Sequence, residues 1–164
     1  MSDAVEWALH ATTTLALLPA DAALPARALA QYLGVSESYL LKNLKLLAQT
    51  GILRSLSGPK GGYQLGRAPG DITLLEVVQA IEGTAPVFTC ANVRENVPFP
   101  CPPGSFRDAC AIRAAMATAQ RAYEDALRIQ TIAHMTAALS RGLSDDLRRE
   151  GEAWFRANVR FSPS

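Results

Sequence analysis

Three cysteines, Cys90, Cys101 and Cys110, are all the thiols this 164-residue chain has, and they share one stretch, CANVRENVPFPCPPGSFRDAC. Thiolates are soft ligands suited to iron–sulfur clusters or zinc, and they are also the nucleophiles of disulfide exchange. Ten residues separate the first two and eight the second two. Neither interval is the two-residue spacing of a strong metal motif. Pro98, Pro100, Pro102 and Pro103 restrict how the stretch folds back on itself. Three readings are open: a metal or cluster site, a thiol pair that switches by forming a disulfide, and cysteines with no sensing role. Cys110 is expected in the first turn of a helix, where the dipole favours the thiolate. His10 and His134 fall at helical positions and are read as satisfied polar side chains rather than ligands.

The composition bounds the answer. Net charge is +1, with 49% hydrophobic and 19% charged residues, so one compact domain with an appended element is expected and any basic footprint must be local. An odd cysteine count argues against a disulfide scaffold, and the acidic start MSDAVE lacks the basic region of a secretory signal. No window is long and apolar enough for a membrane span. A cytoplasmic protein without a membrane partner is the expectation. No catalytic constellation assembles, because neither histidine has an evident nucleophile beside it and Gly58 to Gly62 falls on a hairpin tip rather than at a helix start. An enzyme is not expected.

The elements around the cysteines follow from caps and periodicity. Asp3 with Glu6 three residues on predicts a capping box and a helix to about Leu18. Pro25 opens a second helix, Gly34-Val35-Ser36 turns, and Ser36 caps a third helix from Glu37 to Gln49. Leu40, Leu44 and Leu47 form its core stripe. Two short alternating runs around Ser57-Gly58-Pro59-Lys60-Gly61-Gly62 predict a hairpin, and Thr73 to Glu76 a capping box on a short helix ending at Gly83. Ser105 is expected to cap one long helix to about Ser140, with Ile112, Met116, Tyr123, Ile132 and Met135 on its apolar side. Ser144 caps a last helix to about Asn158. One small domain offers little to cover the long helix, so a second copy of the chain is the economical partner.

This order predicts a mostly α fold: a winged helix-turn-helix domain over residues 1–83 with a small β-hairpin wing, a cysteine-bearing loop over 84–104, a dimerisation helix over 105–142, and a C-terminal helix and tail over 143–164. The third helix would enter the major groove with Ser38, Tyr39, Lys42, Asn43 and Lys45. The hairpin tip would bring Ser57, Lys60, Gly61 and Gly62 to the DNA backbone or minor groove. Between Glu37 and Arg67 there are five basic residues, Lys42, Lys45, Arg54, Lys60 and Arg67, against one acid, Glu37. A helix-turn-helix also occurs in protein-interaction modules, and lysines on a helix are commonly a solvated face.

The stretch from Ser36 to Gly83 closely resembles the signature of the Rrf2 family of bacterial regulators, which includes an iron–sulfur cluster assembly regulator and a nitric-oxide-sensing repressor. The matching residues are Ser38, Tyr39, Leu40 and Lys42; Gly61, Gly62, Tyr63, Leu65 and Arg67; Ile72, Thr73 and Leu74; and Glu82 and Gly83. The resemblance covers about residues 4 to 140. It implies a homodimer on a near-palindromic double-stranded operator, acting as a repressor. It also implies an iron–sulfur cluster, 2Fe-2S rather than 4Fe-4S, on Cys90, Cys101 and Cys110, sensing redox state, nitric oxide or cluster status. VEWALH (Val5 to His10) is similar to one branch in which a first-helix glutamate and a histidine at the end of the second helix are ligands. Glu6 matches that glutamate, whereas Leu33 stands at the histidine position, so Glu6 is the expected fourth ligand, from either subunit. Thiol–disulfide switching without metal, and a protein-interaction module, remain the alternatives.

Overall fold

In the computed structural model, residues 1–58, 61–102, 104–106, 108 and 110–161 are described. Three helices build the head: α1 (Asp3–Leu15), α2 (Ala26–Leu33) and α3 (Glu37–Gln49). Between α1 and α2 lies a short strand, β1 (Ala22–Ala23). Gly34 ends α2 at φ 68°, a left-handed conformation that glycine adopts without steric cost, and this makes the turn into α3. The Ser36 side chain caps α3 by accepting from the Tyr39 N–H at 3.3 Å. Leu40, Leu44 and Leu47 are fully buried, as the stripe requires, and pack with Leu24, Leu29 and Ile52.

The wing is the antiparallel hairpin β2 (Leu53–Leu56) and β3 (Gly62–Leu65), with Arg54 opposite Gln64. It is tied to the head through β1: the Leu24 N–H donates to the Tyr63 carbonyl at 2.9 Å and the Tyr63 N–H to the Leu24 carbonyl at 2.9 Å. A Cβ at Gly62 would meet the Leu24 carbonyl carbon and oxygen at 2.7 Å, so only glycine lets the two backbones close. After the wing, a 3-10 turn (Pro69–Asp71) leads to α4 (Leu74–Glu82), with the expected Thr73/Glu76 capping box formed in both directions.

Three expectations need correction. The first helix stops at Leu15 and its N-cap is Ser2, whose side chain makes no capping hydrogen bond, so the Asp3/Glu6 box is absent. The long helix from Ser105 to Ser140 is two helices, α5 (Ala111–Arg128) and α6 (Ile132–Gly142). It begins late because Ser105 Oγ turns back to donate to the Pro102 carbonyl, and Cys110 is the N-cap instead. It breaks because residues 130–132 pair with the strand-like segment before α4: the Leu74 N–H donates to Gln130 O and the Ile132 N–H to Ile72 O, each at 2.9 Å. Thr131 then caps α6 in a box with His134, which gives that histidine its partner. Ile132 is consequently core to the head rather than part of an intersubunit seam.

The last helix, α7 (Asp145–Asn158), is capped by Ser144 as expected. Its continuation, β4 (Arg160–Phe161), pairs antiparallel with β1, Ala22 opposite Phe161 and Ala23 opposite Arg160, a contact with no local sequence signal.

Glu76 carries a testable consequence. Burial raises its carboxyl, but the Thr73 N–H, the Arg67 guanidinium at 2.9 Å and the Thr73 hydroxyl outweigh this and leave its pKa below 4.5. A group depressed in the folded state stabilises above its unfolded pKa and stops doing so as pH falls through the folded value. Thr73→Ala and Glu76→Gln should each cost about 1 kcal/mol at pH 7. Urea titrations should show the Glu76→Gln difference shrinking as pH drops below 4.5; a pH-independent difference would refute the assignment.

Candidate nucleic-acid interface and thiol pair

The leucine stripe of α3 turns the opposite side outward. Ser38, Tyr39, Lys42 and Lys45 are all exposed, and the spacing 38, 42, 45 keeps three of them on one helical face. Asn43 is the exception among the expected groove residues. It is 5% exposed, and its Nδ2 donates to the Ala4 carbonyl of α1 at 3.4 Å. The position falls between Leu40 and Leu47 on the inner side, so its amide joins α3 to α1 instead of reaching a base.

At the wing, Ser57 is exposed, Gly61 and Gly62 are half-buried, and Lys60 lies outside the described residues. The two glycines face the protein's own backbone: a Cβ at Gly61 would meet the Gly58 carbonyl at 2.8 Å, and Gly62 abuts Leu24. Their role here is to shape and seat the hairpin. Two of the five basic residues are likewise engaged. Arg67 pairs with Glu76 and donates to the Asp71 carbonyl at 3.1 Å. With the Gln64 amide turned so that its oxygen faces Arg54, as the donors around it require, Arg54 Nε donates to that oxygen at 3.0 Å and satisfies a side chain that is 3% exposed. The positive charge facing outward on α3 is therefore that of Lys42 and Lys45. Sequence reasoning passed over Arg27, exposed in the first turn of α2. The signal was available: a basic residue two positions after a helix-opening proline stands where helix-turn-helix proteins meet the phosphate backbone.

The cysteine loop contains a 3-10 turn (Val93–Glu95), within which Arg94 donates from Nη1 to the Asp108 carbonyl at 2.9 Å and lies over the Phe106 ring, 4.6 Å from its centroid. This folds the loop back so that Cys90 and Cys110 line one hollow of about 410 Å³ with Asn92, Arg94, Glu95 and Arg113. The Cys110 thiol is held below its ordinary pKa, chiefly by the Arg113 backbone N–H. The Ile112 N–H, the Arg94 charge and the neighbouring Cys90 thiol add to this, against a smaller opposing effect of burial. Cys101 is half-buried and does not line that hollow, and Glu6 is exposed on α1. Among the described residues no group of three or more histidine, cysteine or acidic side chains is placed to hold a metal ion. Within one chain the donor set thus amounts to two thiols of the four ligands a cluster needs.

The Rrf2 family model, described as an iron-dependent transcriptional regulator, matches residues 1–138. The chain belongs to the Rrf2 family. It is 31% identical over 135 residues to YwgB of Bacillus subtilis (strain 168), named as an HTH-type transcriptional regulator, covering 82% of this chain and 83% of that one. Among solved structures it is similar to T. potens IscR, with a TM-score of 0.67 and 21% identity over 88% of this chain and 92% of that one. It is similar in the same degree to CymR (YrzC), titled the global cysteine regulator of B. subtilis, with a TM-score of 0.67 and 22% identity over 84% of this chain and 96% of that one. These two likenesses show the fold, a mostly helical winged-helix architecture. As an Rrf2 protein the chain is a transcriptional regulator of DNA-binding type and not an enzyme. Among its described residues no helix is long and apolar enough to cross a membrane.

The inward Asn43 separates structural from base-reading roles on α3. Asn43→Ala should lower unfolding stability by about 1 kcal/mol through the lost Ala4 bond while leaving base preference unchanged. Denaturant titration beside selection from a random duplex pool checks both, and a shifted base preference would put Asn43 back in the groove.

Proposed function

We propose that this regulator is a cytoplasmic repressor whose grip on a near-palindromic operator is set by the oxidation state of the loop carrying Cys90 and Cys110. The observation that carries the reading is that Cys110 is the N-cap residue of α5 and lines one hollow with Cys90, so chemistry at the pair acts on the start of that helix.

The DNA side of the reading rests on α3 and the wing. Ser38 and Tyr39 reach base edges near the N-terminus of α3, Lys42 and Lys45 meet phosphates along it, and Arg27 adds a phosphate contact from α2. Ser57, Lys60, Gly61 and Gly62 form the wing's approach to the duplex, Lys60 supplying its charge. A homodimer supplies two half-sites. None of the eighteen residues of α5 is buried in the single chain, and Ile112, Met116 and Tyr123 are 65, 38 and 37% exposed along one side. A second α5 is the natural cover for that stripe.

Two chemistries suit the loop. In the first, the Cys90 and Cys110 thiols form a disulfide, giving up two electrons and two protons to a peroxide, which leaves as two waters or, from an alkyl hydroperoxide, as an alcohol and a water. Their shared hollow favours this reading. In the second, Cys90, Cys101 and Cys110 hold an iron–sulfur cluster, 2Fe-2S in preference to 4Fe-4S, with Glu6 of either subunit as fourth ligand. The soft donor set and the family's iron-dependent description support it. It requires Cys101 and Glu6 to join a pair from which they are apart in the single chain.

Iron and acid-labile sulfide measured on anaerobically prepared protein decide between the two. The cluster reading expects visible absorption that Cys90→Ala and Cys101→Ala both abolish. The thiol reading expects colourless protein in which mild oxidation links Cys90 to Cys110 in a peptide map and changes operator affinity, with Cys101→Ala having no effect.

Lys42→Ala and Lys60→Ala should each weaken binding at all sequences and reduce the slope of log K against log salt by about one. Binding isotherms at several salt concentrations read this directly; unchanged affinity and slope in both variants would sink the docking scheme.

A further inference from the structure

The segment after α6 lies beyond the family match, which ends at residue 138, and the DNA-reading elements described above have no use for it. It nevertheless returns to them at two points. On α7, Trp154 and Phe155 meet Tyr32 at the end of α2, with ring centroids 5.1 and 5.2 Å from the tyrosine and 5.4 Å from each other. Beyond α7, β4 takes the free edge of β1, and β1 is the segment that runs directly into Leu24, the residue bridged to the wing at Tyr63. One end of the segment therefore grips the helix that precedes the recognition turn, and the other grips the strand on which the wing is seated.

The grip is narrow. No residue of α7 is fully buried; Trp154, Phe155 and Val159 are the ones partly buried against the core, and charged side chains occupy much of the rest of the helix. An element held by a few aromatic contacts and a two-residue strand opens at lower free energy than the core it lies on. Tyr32 stands two residues before Gly34, so its position fixes the end of α2 from which α3 departs.

We propose that residues 144–161 are a latch on the helix-turn-helix, in which Trp154, Phe155 and Tyr32 are positioning residues for operator binding. Closed, the latch holds α2 and the wing strand in one arrangement, and α3 and the wing meet the duplex already aligned. Open, both are free to shift and part of the binding free energy goes into ordering them. The proposal rests on the reading of α3 and the wing as the DNA interface.

The test uses the full chain and a duplex selected by the unaltered protein from a random-sequence pool. Trp154→Ala with Phe155→Ala, and separately Tyr32→Ala, should weaken binding about tenfold, the scale of one to two lost aromatic contacts. Trp154→Phe should restore most of it. Stoichiometric titration gives the active fraction, so a merely structural role would lower that fraction and leave the affinity of the remainder unchanged. The salt slope should stay as it was, because the latch aligns and does not touch phosphate; a slope that falls with affinity would overturn the positioning role. The α7 and Tyr32 changes combined should cost no more than either alone, since both open the same contact. Variants that bind within twofold of the unaltered chain overturn the latch alone. A chain that selects no duplex overturns the DNA reading and the latch together.

Discussion

The two hydrogen bonds between Leu24 and Tyr63 hold the wing and the helical head in one frame. Without them the wing would be a two-stranded hairpin, which is marginal on its own in water. Through them it becomes part of the head, seated on the strand that leads into α2. Gly62 is the condition for the bond, since any side chain there would strike the Leu24 backbone. The glycine pair that resembles a phosphate-approach motif is thus first a packing device. Of the described residues that the proposed reading assigns to DNA, the exposed ones make a narrower surface than the motif implies: the face of α3 with Lys42 and Lys45, Ser57 at the wing, and Arg27.

The same economy appears in the charges. A chain of net charge +1 cannot rely on a global field to draw in a polyanion. Arg54 and Arg67, which add to the basic count of the segment, are occupied by Gln64 and by Glu76. Arg67 links the end of the wing to the first turn of α4, and Arg54 satisfies a buried amide that would otherwise be costly. On the proposed docking, attraction to the duplex depends on exposed cations placed at the contact, Lys42, Lys45 and Arg27.

Elements whose cause is local were legible in the sequence. The Ser36 cap, the Thr73/Glu76 box, the turn at Gly34 and the hairpin around residues 57–62 each have a donor, acceptor or glycine within four residues, and each formed where its residues stand. Signals that depend on distant backbone were not legible. The helical pattern from 105 to 140 is continuous in apolar spacing, yet the chain breaks at 129–131 because Gln130 and Ile132 find partners at Leu74 and Ile72, nearly sixty residues away. Asn43 looks outward on composition alone, and only the nearness of Ala4 turns it in. The cysteines were the hardest case. Spacing said little, whereas folding of the loop around Arg94 and Phe106 sorted Cys90 and Cys110 from Cys101.

On the proposed reading, the packing that joins that pair to α3 runs through α4. Cys110 sits at the N-cap of α5, and the middle of α5, at Gln120, Tyr123 and Glu124, lines a hollow with Leu75, Val78 and Glu82 of α4. On its other sides α4 packs against α1 and α3. Adjacency alone does not transmit a signal; some element on the route must have two arrangements that the sensor can bias. The start of α5 meets that condition better than α4 does. Its first turn has no buried residue and no side-chain capping bond from Cys110, whereas α4 is locked at Thr73 by a full capping box and buried at Val77. On the proposed switch, a bond formed or broken at Cys110 would change how α5 begins. The rigid α4 would then carry the resulting shift of α5 toward α3 as a body, without itself unfolding.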